Sequence, residues 1–182
     1  MEPIRAERET VTFFDGLRVD GYRMPDGEFR VGLTGASIVL GYSENWLSRL
    51  LDRETGTSLK ALRGLGFTEE TQKVVSETRR GNREAQTISL RDFNRLISYA
   101  VFDGKKAALA LQLALTELSL TDFFRDAFGD LPLSIEEKRR LFYEAYAATI
   151  SPQEWQQMQM EDIIRLALPG DEPHLRDGQW NE

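Results

Sequence analysis

The chain has 182 residues, 41% of them apolar, with 10 Phe, 5 Tyr and 3 Trp, enough for a core without covalent staples. It has no cysteine and one histidine, His174, so disulfides and thiolate metal centres are excluded and any histidine chemistry would rest on that one residue. The net charge of −7 opposes a simple nucleic-acid binder, but it is unevenly spread: residues 1–29 carry −3, residues 30–106 carry +4 and residues 107–182 carry −8.

The first ten residues are charged and show no apolar signal segment, and no apolar run reaches the roughly 18 residues that span a bilayer. A cytoplasmic protein without a membrane partner is expected. The opening reads as β: a strand over 10–14, an Asp15-Gly16 turn, a strand over 17–23, a Pro25-Asp26-Gly27 turn and a strand over 28–33. These make a small antiparallel meander. Thr34 ends it and offers a helix cap for residues 35–40. Gly41 interrupts the helix. Ser43 offers a second cap, and residues 44–53 place Trp46, Leu47, Leu50 and Leu51 at helical spacing. Thr57 or Ser58 opens a helix that runs through Leu65 and stops at Gly66.

A strand over 71–78, a turn of Arg79-Arg80-Gly81-Asn82 and a return strand over 83–88 make a hairpin. Ser89 and Asp92 form an N-cap pair for a helix that carries Phe93, Leu96, Ile97 and Ala100 and ends at Asp103-Gly104. Residues 105–120 are rich in Ala and Leu and read as a helix, which Thr121 restarts as a short one through Phe128. Ser134 with Glu137 is a capping box for a helix over 135–149. Ser151, Pro152 and Glu154 open a last helix to about Leu168, followed by a polar tail. The fold class is α+β: a meander and a winged helix-turn-helix-like core over 1–129, a helical C-terminal subdomain over 130–168, and a tail over 169–182.

The spacing around Gly41 carries the functional reading. Two helices that touch at a turn need small or apolar side chains at the contact and a glycine where φ turns positive. Ala36, Leu40, Tyr42, Leu47 and Leu50 occupy those contact positions, and Ser37 is small enough for close approach. If the second helix enters a major groove, Ser43, Asn45, Ser48, Arg49 and Arg53 are the side chains that would face double-stranded DNA, with Arg49 suited to guanine and Asn45 to adenine. The hairpin resembles a wing whose Arg79, Arg80 and Arg83 would meet phosphates. The plainer alternative is that these arginines only solvate the surface, some of them beside Asp52, Glu54 and Glu84.

The stretches Gly27-Glu-Phe-Arg-Val31, Val39-Leu-Gly-Tyr-Ser43, Ile88-Ser-Leu-Arg-Asp-Phe93 and Lys105-Lys-Ala-Ala-Leu109 resemble the BRO-N and KilA-N class of phage antirepressor domains over about residues 17–120. The resemblance implies a DNA-binding or repressor-binding module in transcription regulation. The chain departs from that class in its negative charge and its long 105–120 helix. Both departures leave room for a protein-binding adaptor that has lost DNA binding.

Leu141, Phe142, Tyr143, Tyr146 and Ile150, with Trp155, Met158 and Met160, crowd the C-terminal helices. They form either a packed subdomain or a surface for a homodimer or protein partner. Glu136-Glu137-Lys138 superficially resembles a metal-nuclease end but sits at a helix start, where acids favour the macrodipole. No phosphate loop, zinc motif or nucleophile elbow is present, so neither an enzyme nor a cofactor is expected.

Overall fold

The computed structural model describes residues 3–53, 55–78, 81–151, 153–154 and 157. It divides into a compact unit, Met1–Thr149, and a second unit, Ile150–Glu182. Among its described residues the first unit holds six strands in one mixed sheet and six helices. The strands are β1 (Ile4–Arg5), β2 (Glu7–Phe14), β3 (Leu17–Arg23), β4 (Phe29–Gly32), β5 (Gln72–Thr78) and β6 (Gly81–Ser89). The helices are α1 (Leu33–Val39), α2 (Trp46–Leu51), α3 (Thr57–Gly64), α4 (Leu90–Phe102), α5 (Lys106–Ala127) and α6 (Ile135–Thr149).

The sheet order is β1-β5-β6-β4-β3-β2. The expected meander is β2-β3-β4, closed by turns at Gly16 and Gly27, both at positive φ. The expected wing, β5-β6, is not a free appendage. Its second strand pairs antiparallel with β4 through Arg30↔Ser89, Val31↔Ile88 and Gly32↔Thr87, which joins hairpin and meander into one surface. β1 adds a parallel edge against Val74 and Val75. The sequence could not give this pairing, because each hairpin is locally complete and nothing local says that β4 and β6 meet.

Gly41 behaves as the sequence requires. It adopts φ +84, and the N–H of Tyr42 donates to the Ser37 carbonyl while that of Gly41 donates to Ile38. This is the Schellman pattern that satisfies the last carbonyls of α1. Ala36, Leu40, Tyr42, Leu47 and Leu50 are all buried. The caps differ from expectation. Thr34 lies inside α1, because β4 runs directly into the helix at Leu33. Ser43 offers its carbonyl, not its hydroxyl, to Trp46. The hydroxyl that reaches into α2 belongs to the fully buried Ser37, which accepts from the N–H of Leu47 at 3.2 Å and donates to the Leu33 carbonyl at 3.0 Å. Likewise Gly56, not Thr57 or Ser58, precedes α3.

Three capping pairs match the sequence reading. Ser89 accepts from the N–H of Asp92, Ser134 and Glu137 bond reciprocally, and within the second unit Ser151 and Glu154 do the same. Thr121 does not restart a helix. α5 runs unbroken to Ala127, since one β-branched residue costs well under about 1 kcal/mol in so Ala- and Leu-rich a run, and Gly129, at φ +74, ends it. α5 also corrects the reading that no segment is long and apolar enough to cross a membrane: by length and composition it is. The inner face of its first half, with Ala107, Ala108, Ala110, Leu111 and Ala114, is nevertheless buried within the unit.

α6 packs on α5 and on β2, so the boundary drawn at residue 129 falls inside the compact unit. A register shift between Thr12 and Phe14 brings two consecutive phenylalanines to one helix. Phe13 stacks on Phe142 at 5.2 Å, and Phe14 lies 5.2 Å from both Tyr143 and Tyr146. Phe142 and Tyr146 are therefore core residues, not a free surface. Leu141 is half-buried, whereas Trp155, Met158 and Met160 lie outside the described residues.

Removing the Ser37 hydroxyl strands the buried N–H of Leu47, so Ser37→Ala should lower stability by about 1–3 kcal/mol. Gly41→Ala meets only ordinary contacts, the nearest at 3.6 Å, so its cost is the left-handed backbone alone, about 1–2 kcal/mol. Urea midpoints should fall for both variants; an unchanged midpoint in Gly41→Ala would show that the turn relaxes.

Candidate functional site

α2 begins beside the sheet, because Gly41 turns the chain back and Ser37 holds Leu47. The first turn of α2 then lies over a concavity of about 280 Å³ between α1, β3 and β6. Three of the residues singled out in the sequence meet there: Asn45, Ser48 and Arg83. Ser43, Arg49 and Arg53 do not line it. Ser43 is half-buried, and Arg49 and Arg53 are exposed further along the chain. Arg79 and Arg80 lie outside the described residues.

The electrostatics of this concavity run against phosphate. Glu44, Asp20 and Glu84 share its wall with Arg83, three carboxylates to one guanidinium. Asp20 is answered by Arg8 at 2.7 Å, which leaves Glu44 and Glu84 exposed beside Arg83. The positive charge of the middle region is dispersed for a similar reason. Arg30 is buried and spends its guanidinium on the Thr87 hydroxyl, the Glu28 carboxylate and the carbonyls of Glu70 and Thr87. Arg63 pairs with Glu69, holding that carboxyl below its usual range. Sequence counting registered these cations but not their partners.

Trp46 has a defined role. Its indole stacks on Tyr42 at 3.7 Å and 5°, with Tyr99 on α4 at 6.2 Å. Lys105 sits 4.6 Å over the Tyr42 ring, and the Tyr42 hydroxyl donates to Asp103 at 2.7 Å. The stack ties the start of α2 to the α4–α5 junction, so α2 is a fixed element. Burial pushes the Tyr42 phenol well above its ordinary value, and the hydrogen bond to Asp103 adds to it. Burial alone pushes Tyr146 up to about 12.

Two further surfaces were not foreseen. A cleft of about 640 Å³ lies between the β2-β3-β4 face and α4, walled by Val11, Val19, Val31, Phe93 and Ile97. Its floor needs Gly21, where a Cβ would come within 2.7 Å of the Val11 side chain. The second is the outer face of α5 and the turn after it. Phe123 is 73% exposed, and Phe128 and Leu131 are each 82% exposed. Their signal was in the sequence, as a second apolar stripe on a helix that already had one for the core. Among the described residues no group of three or more carboxylate or imidazole side chains is placed to hold a metal ion. Comparison with protein-family models, with curated proteins and with solved structures found no match.

The raised phenols make alkaline stability testable. A phenol whose folded pKa exceeds 10 holds its proton longer in the folded state, so stability is complete below pH 10 and declines as pH rises from there toward the folded value. Absorbance titration should show three of the five tyrosines, Tyr22, Tyr42 and Tyr146, ionising above pH 10, since burial raises all three. Tyr42→Phe should shallow the loss of stability above pH 10; an unchanged slope would assign the loss to other groups.

Proposed function

We propose that this chain is a non-catalytic regulatory adaptor whose partner is a protein. The observation that carries the reading is the exposed apolar surface of α5 and the turn after it, centred on Phe123, Phe124, Phe128 and Leu131. Contiguous apolar surface of this kind serves partners that bury it, and a phosphate backbone does not. Support comes from the start of α2, where Glu44 and Glu84 stand at the positions a groove-reading unit would give to donors and cations. The resemblance to the BRO-N and KilA-N class accords with this reading, since repressor-binding modules belong to it.

A second reading, a DNA-binding regulator of winged helix-turn-helix type, is favoured by one observation. Asn45, Ser48 and Arg83 meet in one concavity, and Arg49 and Arg53, which do not line it, are exposed. Three phosphate contacts by these arginines would give a salt slope of about −3, a loss of roughly 40-fold between 50 and 200 mM salt. Mobility-shift titration of duplex DNA separates the readings. The adaptor reading expects weak duplex binding that Arg49→Ala and Arg83→Ala leave alike for every sequence. Tight binding that shows the steep salt loss, and loses sequence preference in Arg49→Ala, would replace it with the DNA reading.

A further inference from the structure

We infer that the outer face of α5 is a docking seam for one amphipathic helix of a partner protein, a helix whose apolar stripe is flanked by basic residues; this rests on the adaptor reading above. The spacing gives the shape of the occupant. Leu109, Leu113, Thr116, Leu120, Phe123 and Ala127 recur at intervals of four and three along α5, and every one of them is exposed. That is a 3.5-residue repeat, the spacing at which one helix seats its side chains into another. Phe124 widens the seam. The core-facing residues of α5, from Ala107 to Ala114, lie on the opposite side, so the seam is surplus to the fold.

The flanks select the occupant's charge. At helical spacing, Glu117 borders the seam on one side and Asp126 on the other, and both are exposed. After Lys106 the only base in α5 is Arg125, which is turned inward and lies near Asp130, with its guanidinium on the Leu131 carbonyl. Lys138 of α6 is likewise committed, to Asp122. The seam is thus apolar, with one base, Lys106, at its N-terminal step and acidic borders along the rest of its length. A second copy would bring acid against acid, whereas a helix with lysine at its flanking positions completes both sides. Anionic lipid is disfavoured by the same acids.

The test uses the full chain and two synthetic helical peptides with leucine at the seam positions, one flanked by lysine and one by glutamate. Fluorescence anisotropy should show saturable binding of the lysine peptide and at least tenfold weaker binding of the glutamate peptide. Leu120→Ser with Phe123→Ser should abolish binding with the circular dichroism unchanged, and Glu117→Lys with Asp126→Lys should reverse the preference. Equal affinity for the two peptides overturns the charge selection. Binding of neither peptide by a folded chain overturns the seam. Reversible dimerisation in sedimentation that Phe123→Ser removes assigns the seam to a second copy, and partition into neutral phosphatidylcholine vesicles that Phe123→Ser removes assigns it to lipid; either result overturns the proposal. The adaptor reading itself fails separately, on the duplex titration.

Discussion

The three-residue ladder between β4 and β6 is the joint on which the first unit depends. β4 runs into α1 at Leu33, and β6 runs into α4 at Leu90. Because the strands are antiparallel, the two helices leave opposite ends of the same short ladder. Whatever fixes that ladder fixes where α1, and through it α2, stands relative to α4. Arg30 performs this task from inside. It is a charged side chain nine-tenths buried, with donors on the Thr87 hydroxyl and on two backbone carbonyls and an ion pair to Glu28. Such a group is costly unless every donor is matched, so it selects one register over its neighbours.

Asp92 and Ser37 extend the same logic to the helices. Asp92 is fully buried and accepts both the N–H and the hydroxyl of Thr68, at 2.9 and 2.6 Å, which pins the segment between α3 and β5 to the first turn of α4. The next residue, Glu69, holds φ 64 with its carboxylate on Arg63. Ser37 joins α1 to α2. Three short polar links therefore orient three short helices that own propensity would not hold, since isolated helices of six to eight residues are marginal in water.

What the sequence disclosed was local. The turn at Gly41, the hairpins and the capping pairs at Ser89, Ser134 and Ser151 each rest on a few adjacent residues, and each is present. The contact set from Ala36 to Leu50 was legible because helical spacing reports burial directly. What it concealed was long-range. Nothing near Arg30 says that its partners lie at residues 70 and 87, and nothing near Phe142 says that Phe13 will cover it. The candidate site shows the same split. Asn45 and Ser48 were found by position along a helix, whereas Asp20 and Glu84 reach the same concavity from strands distant in sequence, and with them comes the sign of its charge.

The way the sheet's outer strand is covered bears on how the chain is born. β2 leaves the ribosome long before α6, the helix that packs on it. Arg139 reaches the Thr12 carbonyl across 127 residues. At synthesis rates of about 5–20 residues per second, Phe13 and Phe14 wait for roughly 6–25 s before Phe142 and Tyr146 arrive. During that interval β2 offers an unpaired backbone edge beside two bare aromatic rings, an arrangement that invites strand addition by a neighbouring nascent chain. Glu7 and Glu9 at its start and Arg8 between them are the charged residues that blunt that edge.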